Sequence, residues 1–170
     1  MRITVPKKIK TKRLTLRQFK EKDWKDMHGF YSDEIATKYT FGRALTEGES
    51  WRTVAGLLGH WQLRGYGPYA LELNNLNKVI GTVGFWYPCE WPEPEIKWNL
   101  LRKYWGHGYA SEAVRAVQNI AKQCFPNTPL ISFMDSKNSA AKNLARAVGA
   151  IFEKKLEFRG GIWHVYRHPK

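Results

Sequence analysis

Cysteine is scarce in this sequence: Cys89 and Cys124 are the only two in 170 residues, with no CxxC spacing between them. That excludes a disulfide-built scaffold and a cysteine-based metal site, and it suits free thiols in a reducing, cytoplasmic setting. Long apolar runs are also absent. No stretch approaches the ~18–20 apolar residues of a membrane span, so no membrane association is expected. The basic N-terminal segment, Met1 to Lys12, has no apolar region behind it, which argues against a secretory signal. Acidic residues are few beside basic ones, 15 against 28, for a net charge of +13. A field of that sign favours polyanions, acidic proteins or a phosphorylated ligand over cationic partners. Direct nucleic-acid binding is the weaker of these, because the aromatic residues fall mostly at helix or strand spacing rather than among the basic ones. His164 and His168 are four apart in a segment that reads as strand, so they form no ligand pair, and no metal site is expected.

No repeat, low-complexity tract or long linker interrupts the chain, and residues 1–170 read as a single domain. Strands are expected at Thr15–Phe19, Tyr69–Leu73, Lys78–Tyr87, Glu95–Leu101, Leu130–Met134, Ile151–Phe158 and Ile162–Tyr166. Turns rich in Asn, Pro or Gly bound several of them. Helical periodicity runs over Glu21–Tyr31, from Thr46 to Gly65, from Tyr109 onward, and over Ser139–Val148. Thr46 and Glu49 have the spacing of a capping box. The order β-α-α-β-β-β-α-β-α-β-β predicts a mixed α/β (α+β) domain. Its sheet is mostly antiparallel, of about six to seven strands, with one parallel crossover near the middle.

The segment Leu101-Arg102-Lys103-Tyr104-Trp105-Gly106-His107-Gly108-Tyr109-Ala110-Ser111-Glu112-Ala113 carries the strongest chemical signal. A strand enters a glycine turn that opens a helix. The first turn of a helix leaves backbone N–H groups unpaired, and its dipole favours anions, so a pyrophosphate suits this place. The same glycines would also serve a loop that merely has to turn. Neither a P-loop nor G-x-G-x-x-G is present, since position 111 is Ser.

Lys103-Tyr104-Trp105-Gly106-His107-Gly108 resembles the Q/R-x-x-G-x-G/A signature of the GNAT acyltransferase superfamily. The longer run Tyr104 to Ala113 is similar to its RimJ/RimL-like branch, which acetylates ribosomal-protein N-termini. Thr11-Lys12-Arg13-Leu14-Thr15-Leu16-Arg17 resembles that branch's T-x-R-L-x-L-R opening. Ile80-Gly81-Thr82-Val83-Gly84 resembles its I-G-x-x-G, and Asn138 with Gly149 its N-x-x-S…G-F pattern. The resemblance spans about Thr11 to Tyr166. Lys103 replaces the usual Gln or Arg, Ala141 a frequent Ser, and Ala150 a frequent Phe.

The resemblance implies a GNAT-like sheet with helices on both faces and a splayed parallel pair, β4 and β5. It implies acetyl-CoA as cosubstrate, with the pantetheine arm between those strands on the backbone of Leu100 and Leu101. The pyrophosphate would lie on the amides of Lys103, Trp105, Gly106, His107, Gly108, Tyr109 and Ala110. Asn138 and Asn143 would contact the arm, although Asn138 would serve equally as a helix N-cap. Glu95, on one strand face with Lys97, Asn99 and Leu101, is the candidate base. The alternative for Glu95 is a solvated or lysine-paired carboxylate. Tyr109 is the second catalytic candidate, with a hydroxyl near the sulfur, or else a packed aromatic.

Freeing an amine at pH 7 costs about 4.6 kcal/mol for lysine and about 1 for an α-amine. A protein N-terminus therefore needs little help from a base. Three functions stay open at this stage. One is N-acetylation of a primary amine, a protein N-terminus among them, by direct attack in a ternary complex. The others are small-molecule amine acetylation (amino acid, polyamine or drug-like amine) and a non-catalytic CoA- or nucleic-acid-binding module. The pattern is compatible with a monomer or a homodimer.

Overall fold

The computed structural model describes residues 4–170. Its elements run β1 (Lys8–Lys10), β2 (Leu14–Arg17), α1 (Asp23–Tyr31), α2 (Glu34–Thr37), α3 (Glu47–Arg64), β3 (Pro68–Leu73), β4 (Lys78–Trp86) and β5 (Glu95–Leu100). After a 3-10 turn at Arg102–Tyr104 come α4 (Tyr109–Cys124), β6 (Ile131–Asp135), α5 (Ser139–Ala147), β7 (Ile151–Phe158) and β8 (Gly161–Arg167). One sheet holds all eight strands in the order β1-β2-β3-β4-β5-β6-β8-β7, and only β5 and β6 pair in parallel.

Two expectations are corrected here. The sheet has eight strands, not six or seven, and the parallel pair is the fifth and sixth strands, not β4 and β5. The cause is the basic lead-in. Lys8, Ile9 and Lys10 pair antiparallel with Arg17, Leu16 and Thr15 and add an edge strand too short to show a period of two. Lysines suit an exposed edge, where charge discourages further pairing.

Alternation along the strands divides the core between the faces. Leu71, Ile80, Ile96 and Leu100 pack with Ala113, Val114 and Val117 of α4. Their neighbours Ala70, Val79 and Leu101 pack instead with Met27 and Phe30 of α1 and with Val54 and Leu57 of α3. Helices thus cover both faces. Capping matches the sequence reading: Thr46 and Glu49 form the reciprocal box that starts α3, and Gly65 ends it in the left-handed region at φ 75°.

The β5–β6 pair is parallel over a single register position, Glu95 with Ile131. Beyond it the strands part. At the parting, the Ser132 hydroxyl donates to the Ile96 carbonyl, substituting a side chain for the next ladder bond. A buried relay holds that hydroxyl. Gln118 Nε2 donates to the Val148 carbonyl and to His168 Nδ1, both at 2.9 Å. The proton of His168 is thereby left on Nε2, 2.8 Å from Ser132 Oγ. Burial, with Arg167 adding repulsion, pushes the His168 imidazole down to about 4 and keeps it neutral.

Ser132→Ala leaves the Ile96 carbonyl and the His168 N–H without partners in a buried place. It should lower unfolding free energy by about 1–3 kcal/mol, measured by urea denaturation.

Candidate active site

The glycine loop leaves β5 through the 3-10 turn and ends at Gly108, the N-cap of α4. Gly106 and Gly108 sit at φ 77° and 76°, where a side chain is strained, so the turn itself demands glycine at both. Gly108 supplies no side-chain cap, which leaves the first-turn N–H groups of α4 without a side-chain acceptor. The loop from Trp105 to Gly108 is exposed, and a Cβ at Gly106 would meet nothing within 4 Å. An open row of N–H groups at a helix N-terminus fits a pyrophosphate.

A residue from the N-terminal strand region fixes this loop. Arg13 donates Nε to Glu112 at 2.7 Å and Nη1 to the His107 carbonyl at 2.8 Å, and its guanidinium lies 4.5 Å from the Tyr109 ring centroid. Glu112 also accepts from the Thr11 hydroxyl at 2.6 Å and from the Arg13 N–H at 2.8 Å. Burial works against the charged form of Glu112, yet these donors together hold its carboxyl below the ordinary value. The T-x-R-L segment is thus the brace of the loop, a role its sequence alone did not disclose.

Trp105, 43 % exposed, donates its indole N–H to the Leu100 carbonyl at 2.7 Å. The Leu101 N–H is taken by the Ile80 carbonyl across the β4 side. Alternation of the ladder then turns the main-chain groups of Ile96, Trp98 and Leu100 towards β6, where the strands part. Ile96 O and Leu100 O have internal donors, so the Trp98 backbone lies between two satisfied positions at the opening. Sequence reasoning singled out Leu100 and Leu101 and passed over Trp98, because which N–H points outward depends on register.

Glu95 closes the parallel pair and is 5 % exposed. Burial raises its carboxyl to about 7, against the pull of Lys97, the Phe133 N–H and the Trp91 indole. Trp91 Nε1 is buried near this carboxyl without a well-formed hydrogen bond. Lys97 shares the face, as the period of two requires, and rests its ammonium 4.4 Å from the Trp86 ring centroid. Burial lowers the Lys97 amine, while Glu95 works to raise it.

Tyr109 opens α4, stacked on His107 at 5.7 Å and covered by Arg13. Its ring belongs to the glycine loop, not to the Glu95 face. Lys103 is exposed, with its ammonium over Tyr104, and Ala110 is half-buried in the first turn. Asn138 accepts from the Ala141 N–H at 3.1 Å as the N-cap of α5, which commits Oδ1 and leaves its amide N–H groups free. Asn143 lies exposed one turn on, beside Arg146. Tyr69 is fully buried on the α4 side, where its hydroxyl donates to the Pro6 carbonyl. Trp86 and Trp91, by contrast, stand at the Glu95 face. Among the described residues no group of three or more His, Cys, Asp or Glu side chains is placed to hold a metal ion. Among the described residues no helix is long and apolar enough to cross a membrane.

A cavity of about 450 Å³ opens beside the glycine loop on the α1 side, lined by Gly29, Asp33, Leu101, Arg102 and Lys103. Arg102 bonds Asp33 across it at 2.7 Å. Another, of about 270 Å³, lies at the far end of β5 among Phe125, Leu130 and Pro169, away from the loop.

A parted parallel strand pair with a glycine-opened helix beside it is the arrangement expected of an acyl-CoA-dependent acyltransferase. Comparison with known proteins agrees. Residues 13–151 match the acetyltransferase (GNAT) domain family, and the chain belongs to that family. It is 30% identical over 149 residues to the uncharacterized N-acetyltransferase p20 of Bacillus licheniformis, covering 80% of this chain and 84% of that one. An acetyltransferase structure from Agrobacterium tumefaciens superposes with a TM-score of 0.85 at 23% identity, over 100% of this chain and 98% of that one. RimL, a ribosomal L7/L12 alpha-N-protein acetyltransferase solved with coenzyme A, superposes at 0.71 and 16% identity, with 96% of each chain covered. These likenesses show the family and the fold without singling out the RimJ/RimL-like branch.

Glu112→Ala strips the acceptor from Thr11 and from two Arg13 donors. It should cost about 1–3 kcal/mol by urea unfolding at pH 7. Because the Glu112 carboxyl is depressed in the fold, its contribution is present above the unfolded pKa of ~4.3 and is lost as pH falls below that. The difference from wild type should therefore shrink towards pH 3.

Proposed function

We propose that the protein transfers an acetyl group from acetyl-CoA to a primary amine by direct attack in a ternary complex, the amine being the α-amine of a polypeptide N-terminus. The observation that carries this reading is the carboxyl of Glu95, buried at the one point where β5 and β6 still pair, with the strands parted beyond it.

The amides from Lys103 to Ala110 hold the pyrophosphate on the open glycine loop. The Trp98 backbone and the Leu100 N–H meet the pantetheine amides as an added strand would, and Asn138 offers its free amide N–H groups from across the gap. The amine attacks the thioester carbonyl, the carbon–nitrogen bond forms, and the carbon–sulfur bond breaks to release CoA as its thiolate, which takes a proton from solvent. Glu95, ionised above about pH 7, takes the ammonium proton directly or through water. An α-amine, with a pKa of ~7.7, is already partly neutral there, so a base of that strength is matched to it. The Tyr109 hydroxyl, held in the glycine loop, is the weaker of the two catalytic assignments.

Acetyl-CoA at about 100 times its Kd should stabilise the protein by ~2.7 kcal/mol in a thermal-shift assay, with CoA acting likewise and ATP not. Gly106→Ala has room for its Cβ but strains the turn at φ 77°, so it should fold with a lowered melting temperature and lose at least about tenfold in acetyl-CoA affinity as the backbone approach is disturbed. Unchanged affinity would move the pyrophosphate off this loop.

The acid limb of kcat/KM should fall near pH 7, activity rising as Glu95 ionises. In Glu95→Gln that limb should flatten and kcat should drop by about 10²–10⁴-fold for a lysine-like acceptor, and less for an α-amine. A limb that persists in the variant belongs to another group.

A further inference from the structure

We infer that the aromatic platform beside Glu95 recognises an anionic group on the acceptor, and that Arg64, Lys97 and Arg159 read it. The acceptor is thus a primary amine with a carboxylate or phosphate a few bonds away. This rests on the acyl-transfer reading and names the substrate class of the same site.

The platform is continuous. His60 stacks on Trp86 at 4.7 Å and 24°, and Trp91 meets Trp86 edge-on at 6.4 Å. Tyr87, next along the chain, donates its N–H to His60 Nε2. Three cations reach it from three separate elements. Arg64 at the end of α3 lies 5.2 Å from the Tyr87 centroid, and Lys97 of β5 lies 4.4 Å from that of Trp86. Arg159, in the β7–β8 turn, lies 5.2 Å from that of Trp91. Burial lowers the His60 imidazole, and repulsion from Arg64 and Lys97 adds to that.

None of the three has a carboxylate within ion-pair distance among the described residues. Arg13, Arg17, Arg43, Arg102 and Arg167 all do. Arg52, Arg115 and Arg146 are likewise without a carboxylate, so what sets these three cations apart is their place on one aromatic platform, with Lys97 beside the acid Glu95. Lys97 is half-buried, where a bound anion would offset the cost of its charge, while Arg64 and Arg159 are exposed. His60 cannot serve as a cation here, because both ring nitrogens are bonded to backbone groups at Tyr66 and Tyr87 and burial lowers its pKa.

The cations have a second effect on an amine docked beside them. They disfavour its protonated form and so raise the fraction able to attack.

The test compares acceptors sharing one N-terminal residue, followed by Asp and Glu, by Ser and Gly, or by Lys. Glycine and glycinamide serve as the small-molecule arm, and acetyl-CoA affinity is measured alongside. Anion-bearing acceptors should show kcat/KM roughly tenfold or more above neutral ones, and lysine-bearing ones should fall below both. The advantage should shrink as salt is raised and should collapse to under about threefold in the Lys97→Gln, Arg159→Gln double variant. Preference for the acidic peptides alone, or for glycine over glycinamide as well, supports the inference and tells peptide from small-molecule acceptors. Equal rates across the panel, or an advantage that survives the double variant, overturn it. If acetyl-CoA binds but no acceptor reacts, the acidic peptide should still raise the melting temperature of the CoA complex, and no rise overturns the inference. A protein that fails to bind acetyl-CoA instead sinks the acyl-transfer reading beneath it.

Discussion

The separation of β5 from β6 is the constraint on which the rest of the structure depends. A parallel ladder that ran its full length would leave no main-chain groups for a ligand and would seal the sheet from face to face. Here pairing stops after Glu95 and Ile131, and the Ser132 hydroxyl completes the next bond with a side chain. The relay through His168 and Gln118 anchors that serine to α4 and to the end of α5. The gap is thus a built feature with a fixed apex, and the buried carboxyl stands at that apex.

The second half of the site is the glycine loop. Gly106 and Gly108 give the chain the turn it needs and remove the side chains that would otherwise stiffen it. Local bonds such as that from the Trp105 indole to Leu100 are joined by a brace from outside, through Arg13 and the carboxylate of Glu112. Glu112 near a helix N-terminus already has a favourable place against the dipole. The structure shows the same carboxylate joining the helix to the chain before β2, so one residue both starts α4 and ties down the approach to it.

Local patterns were readable before any coordinates. The Thr46–Glu49 box, the Gly65 stop, the glycine loop into α4, and the face shared by Glu95 and Lys97 each depend on residues a few positions apart. What stayed hidden depends on distance or on brevity. β1 and α2 are three and four residues long, too short for a period to show. Arg13 and His107 are 94 residues apart, and Ser132 and His168 are 36 apart, so no spacing rule connects them. The choice of Trp98 over Leu101 at the opening required the Leu101 bond to Ile80, a matter of register that the strand pattern leaves free. The strand count shifted the parallel pair for the same reason. A basic tripeptide with one isoleucine shows its pairing only once Leu16 is found opposite it.

The bracing of the glycine loop by Arg13 has a consequence for the order in which the molecule becomes competent. A chain emerging residue by residue makes Arg13 long before the loop it must grip. A fragment holding only the C-terminal half has the loop without its grip. Breaking the chain between β2 and α3, as in a split protein or a circular permutant, keeps the partners present and turns their meeting into a test of assembly. Trimming the N-terminus past Thr11 and Arg13 removes no strand from the middle of the sheet, yet it loosens a loop 94 residues further along the chain. The segment just before β2 is therefore a poor site for shortening, however exposed the first strand looks.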